Sequence, residues 1–87
     1  MFIHLYAIRD LRSEALEFVF EEANDYAASR RIQFMLSQKN PALSIYSQFP
    51  EDYALFKVGV LDRKTGNLQS DFHHVADFST YIDPKGE

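Results

Sequence analysis

The chain has 87 residues, 46% hydrophobic and 25% charged, with eight Phe, five Tyr and no Cys. That length fits one domain with a thin core, burying only about 60–65% of the surface its unfolded form exposes, and the missing cysteines exclude a disulfide framework, a thiolate metal site and a thiol nucleophile. A net charge of −4 has the wrong sign for a protein that coats DNA over its whole surface, and no apolar run reaches the ~18 residues of a membrane span.

Residues 2–9 are aromatic and β-branched enough for a strand, with Phe2, His4, Tyr6 and Ile8 on one face and Ile3, Leu5 and Ala7 on the other. Asp10 to Ser13 reads as a turn into a second strand over 15–21, in which Leu16, Phe18 and Phe20 point inward and Glu17, Val19 and Glu21 outward. At Asn24 the period changes. Asn24 is a good N-cap, Asp25 suits the positive end of a helix dipole, and Ala28, Ile32 and Met35 recur at i, i+4 and i+7 through a helix ending near Gln38. Arg30, Gln33 and Ser37 fall away from that stripe, Asn40-Pro41 stops the helix, and Ser44 to Pro50 reads as a loop.

A strong third strand follows over 53–61, with Ala54, Phe56, Val58 and Val60 opposed to Tyr53, Leu55, Lys57 and Gly59. Gly66 supplies the positive φ of a hairpin turn, and a fourth strand from Leu68 to about Phe72 pairs back, with residues 73–82 left open between strand and short helix. The expected fold is α+β: a four-stranded antiparallel sheet with one helix packed on one face (β-β-α-β-β), a domain over 1–83 and a frayed tail at 84–87. One helix covers one face, so the opposite face, expected to show Phe2, His4, Tyr6, Tyr53 and Leu55, calls for a partner. A second copy, sheet against sheet, is the simplest one, and a nucleic-acid platform the alternative.

No constellation of catalytic residues emerges. His73 and His74 are strand neighbours and point to opposite faces, so they do not chelate one ion even with His4 as a third candidate. The same adjacency removes the metal site that a Tyr81 nucleophile would need in a DNA-nicking enzyme. Ser70, His74 and Asp77 lack a strained nucleophile turn, Glu51-Asp52 follows Pro50 as a turn would, and the three glycines are isolated, so nothing cradles a phosphate. The chain is expected to be no enzyme, with no cofactor and no metal. Charge is uneven along it: residues 1–29 carry net −4, residues 30–64 net +3 and residues 65–87 net −3. Any polyanion contact therefore falls to Arg30, Arg31, Lys39, Lys57, Arg63 and Lys64, with Tyr6 and Tyr53 as base-stacking candidates beside Lys57.

Leu5-Tyr6, Ile8, Asp10, Asn24-Asp25, Ala28, Arg30, Asn40-Pro41, Ser44, Pro50-Glu51-Asp52-Tyr53, Leu55-Phe56, Val58-Gly59, Asp62 and Thr65-Gly66 follow one another in an order and spacing that resembles the small nonstructural protein of gokushoviruses. These are tailless single-stranded DNA phages of the microvirus family. The resemblance covers about two-thirds of the chain, its most specific part being the Pro-Glu-Asp-Tyr to Thr-Gly segment, and the residues from Asn67 onward match no pattern of the group. It implies a phage protein of the host cytoplasm, often labelled DNA-binding, and carries over no catalytic residue. The combined expectation is a non-enzymatic accessory factor that binds single-stranded DNA weakly during genome replication or packaging. Arg30, Arg31, Lys57, Arg63 and Lys64 are its phosphate contacts and Tyr6 and Tyr53 its stacking rings. The competing expectation is a homodimeric adaptor acting on a host or phage replication protein through the open sheet face.

Overall fold

Alternating apolar residues form strands β1 (Phe2–Asp10) and β2 (Ala15–Glu22), followed by helix α1 (Asp25–Ser37), a short helix α2 (Ser44–Gln48), and strands β3 (Tyr53–Asp62) and β4 (Leu68–Asp77). The structure, a computed structural model, describes residues 1–82, so the expected domain end at 83 and the tail at 84–87 lie outside the described residues. The strands make one antiparallel sheet in the order β2-β1-β3-β4, with both helices on one side. The expected α+β architecture holds, with two differences. Ser44–Gln48 is helical, flanked by 3-10 turns at Pro41–Leu43 and Pro50–Asp52; the segment has no glycine, and Tyr46 packs edge-on against Tyr53, with ring centroids 4.8 Å apart. β4 runs on to Asp77 before a 3-10 turn at Phe78–Thr80 drops Phe78 into the core.

Local chemistry sets the boundaries. The Asn24 side chain accepts the Ala27 N–H at 2.8 Å, satisfying one of the orphan donors of the helix start. Asp62 closes the β3–β4 turn by accepting the Lys64 N–H at 2.9 Å on its carboxylate, while Gly66 adopts φ 80°. Gly59 permits a close approach of strands: a Cβ there would lie 2.5 Å from the Gln69 carbonyl oxygen.

The face beneath the helices is the reverse of the one expected. Tyr6, Ile8 and Leu55 are fully buried, Tyr53 nearly so, and they pack with Phe20, Ala28, Ile32, Met35 and Phe78. Phe56 and Val58, expected inside, belong to the opposite face or its bulge. Both faces of β1 are apolar, so alternation leaves the choice to packing, and the larger set, Tyr6 and Ile8, fills the space under α1. The tyrosine is accommodated because its hydroxyl donates to Asp25 Oδ1 at 2.7 Å. β2 departs from simple alternation as well. Phe18 has φ 53°, and the register against β1 slips between Tyr6 and Ile8. This bulge brings Glu17 and Phe18 together onto the helix side, where Glu17 accepts the Tyr46 hydroxyl.

Candidate nucleic-acid interface

Helix α1 buries Ala28, Ile32 and Met35 against the sheet, as their spacing predicts. Turning by 100° per residue, the opposite side of that helix is centred on Arg30, with Tyr26 one turn before it and Phe34 one turn after. Tyr26 is 70% exposed and Phe34 67%, an unusual position for two large rings on a helix whose core stripe is already complete. The Arg30 guanidinium lies 5.8 Å from the centre of the Tyr26 ring and donates to its hydroxyl at 3.3 Å. Arg30 has no carboxylate within ion-pair distance among the described residues. Arg31 does: its Nε meets Glu22 at 2.7 Å, and its guanidinium also covers Phe20 at 5.4 Å. Residues 26–50 contain Arg30, Arg31 and Lys39 and not one Asp or Glu. In a chain of net charge −4, the outer face of α1 thus presents the Arg30 cation between two solvent-facing aromatic rings.

The other expected site residues do not join it. Tyr6 and Tyr53 are core side chains, at 0% and 7% exposure, and cannot stack on a base; this corrects their assignment as stacking rings. Lys57 is corrected likewise. It is 8% exposed, lies on the covered face and pairs with Asp71 at 3.1 Å, so its charge is neutralised within the protein. Arg63 and Lys64 are exposed, on the turn that follows Asp62, which pairs with Phe2 at the far end of β1. That end is about four strand residues, roughly 13 Å, from the Tyr6 position that α1 covers. Of the seven residues expected to touch nucleic acid, only Arg30 and Arg31 lie on α1, and Arg63 and Lys64 share the separate β3–β4 turn. Tyr26 and Phe34 were missed because an aromatic residue in an apolar segment reads as core; projection on a helical wheel is the signal that separates them.

Under the N-terminus of α1 lies a polar relay. Asp25 accepts the Tyr6 hydroxyl and holds His73 Nε2 at 3.3 Å; His73 Nδ1 meets Asp71 at 3.2 Å, and Asp71 holds Lys57. His73 and His74 point to opposite faces, His74 bonding Asp77 at 2.8 Å on the open side. An imidazole bonded at both nitrogens by carboxylates is favoured as the cation. The bond to Asp25 accordingly raises the His73 pKa, against the effect of burial and with help from Asp71. Burial pushes the Asp25 carboxyl up, but the Tyr6 and His73 bonds outweigh it and hold it below the usual range. The Lys57 bond, then the His73 bond, lower Asp71. Burial and the Asp25 bond push the Tyr6 hydroxyl up. The relay ties β1, β3 and β4 to the helix; it is closed on itself, with each member spent on another. Among the described residues no group of three or more His, Cys, Asp or Glu is placed to hold a metal ion, and no helix is long and apolar enough to cross a membrane.

A family model described as Phage ORF5 protein matches residues 3–81. The chain belongs to the Phage ORF5 protein family. The match takes in all four strands and both helices, so the Phage ORF5 domain is the whole fold described above. No curated protein and no solved structure matches this chain. The outer face of α1 and the relay beneath it both lie within the Phage ORF5 match.

Proposed function

We propose that this Phage ORF5 protein is a non-enzymatic accessory factor that binds single-stranded DNA weakly, in the host cytoplasm, during phage genome replication or packaging. The carrying observation is the Tyr26–Arg30–Phe34 strip: two exposed rings flanking a cation without a carboxylate partner among the described residues, in a segment free of acidic residues. Bases stack on aromatic rings at about 1–3 kcal/mol each, and cations track the phosphates. Lys39, just past the end of α1, adds a second exposed cation, while Arg31 is paired with Glu22. Tyr26 and Phe34 are two turns, about 12 Å, apart along the helix axis, which allows two unstacked bases to be engaged one on either side of Arg30. Membership of a phage family and the resemblance to the gokushovirus nonstructural protein agree with this reading.

Fluorescence anisotropy with a labelled oligothymidine tests it. Micromolar binding at low salt is expected, weakening steeply as salt rises because counterions are released from the neutralised phosphates. Tyr26→Ala and Phe34→Ala should each weaken binding by about 1–3 kcal/mol, roughly 5- to 150-fold. Arg30→Gln should also lower the salt slope by about one phosphate. No binding at low salt overturns the proposal.

A second reading, an adaptor for a host or phage replication protein, is favoured by one feature. A groove of about 450 Å³ between α1 and β2 is lined by Phe18, Arg31, Phe34, Met35, Gln38 and Leu43. An apolar protein contact there would persist at salt concentrations that abolish DNA binding.

A further inference from the structure

The side of the sheet away from the helices carries a second aromatic cluster. Phe56 and Phe72 stack with ring centroids 5.0 Å apart at 22°, the Arg9 guanidinium lies 5.2 Å and 5.5 Å from their centres, and His74 sets its edge on Phe56 at 5.3 Å. Towards the other edge, Leu16 and Val19 are 42% and 61% exposed, and Phe72 is 47% exposed. Between these edges the surface is flat, because Ala7 and Ala54 alternate with Phe56 and Arg9 in the paired central strands. Arg9 Nε is buried without a hydrogen-bond partner among the described residues.

We infer that this face is the interface between two copies of the chain, packed sheet against sheet. The inference is independent of the nucleic-acid reading, which concerns the other side of the sheet. Three observations favour a second copy over other occupants. The first is area. Four strands about 4.8 Å apart and about 30 Å long present a face of roughly 19 by 30 Å, so two copies bury on the order of 1,100 Å², enough for a specific interface. The second is charge: the face carries both signs, Arg9 against Glu21 and Asp77, as a self-complementary surface requires and as a polyanion site does not. The third is shape, since a flat apolar face with small central residues suits the aligned packing of sandwiched sheets. In such a dimer the two α1 strips point outward on opposite sides.

Light scattering after size exclusion, from about 5 to 100 µM, measures the mass directly. Twice the 10.1 kDa chain mass is expected for the wild type, and the single-chain mass for Val19→Glu and Phe72→Glu. Ile45→Glu, an exposed position on the helix side, should remain dimeric. Should glutamate prevent folding, as circular dichroism would reveal, Val19→Ala and Phe72→Ala carry the test, with a dissociation constant raised at least tenfold expected. A wild-type monomer at 100 µM overturns the inference. So does a dimer that Ile45→Glu dissociates while the folded Val19 and Phe72 variants leave it intact.

Discussion

Gly59 and Tyr6 illustrate how single side chains set the sheet. Between β3 and β4 the backbones approach so closely at Gly59 that a methyl group would meet the Gln69 carbonyl oxygen at 2.5 Å, a distance only a backbone shift can relieve. Gly59→Ala should therefore cost about 1–3 kcal/mol, the usual penalty of forcing atoms into a packed site, and chemical denaturation should show a lower midpoint at an unchanged slope. An unchanged midpoint would mean that the two strands can separate there at no cost. Tyr6 acts through one atom. Its ring fills the space under α1 while its hydroxyl donates to Asp25, so Tyr6→Phe keeps the packing and removes only the bond. The expected loss is about 0.5–1.5 kcal/mol by the same measurement, much smaller than for truncating the ring.

At the scale of elements, α1 does two jobs with opposite faces. Its inner stripe closes the core, and its start is held by Asn24; Asn24→Ala should lower stability by about 1 kcal/mol without changing DNA affinity, since the cap does not touch the outer strip. Parallel denaturation and anisotropy measurements would separate the two effects. The strands and α1 were legible in the sequence because alternation, the cap at Asn24, the stop at Asn40-Pro41 and the turn at Gly66 all act locally. The face that α1 covers was not legible. Leu5 and Ala7 are as apolar as Tyr6 and Ile8, and only tertiary facts decide between them: the size of the space to fill, and a carboxylate on α1 able to satisfy a buried hydroxyl. The bulge at Phe18 was equally hidden, because a phenylalanine at positive φ has no local signature. It turns Glu17 away from the open face, where alternation had placed an anion. For the candidate site, Arg30 stood out as a helix cation without a local role. Tyr26 and Phe34 did not, since composition counts aromatic rings and only the helix axis shows which way they point.

For the molecule as a whole, the relay from Tyr6 through Asp25, His73 and Asp71 to Lys57 couples stability to pH. His73 has a raised pKa, so its contribution is fully present below the unfolded value of about 6.5 and is lost as pH rises through the folded value. Asp25 and Asp71 have lowered values, so theirs is present above about 4 and is lost as pH falls through the folded values. The melting temperature should be highest in the mildly acidic range between these limits and decline towards pH 8. His73→Gln should flatten that alkaline decline; an identical pH profile in the variant would mean that the relay does not bear on stability. The charge of the whole chain points the same way as its architecture. An acidic protein can still bind a polyanion through a local excess of cations, and residues 26–50 hold three basic residues and no acidic one, Arg30 being free of a carboxylate partner among the described residues and Arg31 paired with Glu22. The most direct test of that account is a titration of isotope-labelled protein with oligothymidine at low salt, followed by amide chemical shifts. Shifts confined to Tyr26–Lys39 and its flanks, with Phe56, Phe72 and His74 unmoved, are the predicted result. Shifts centred on the open sheet face, or none at all, would contradict it.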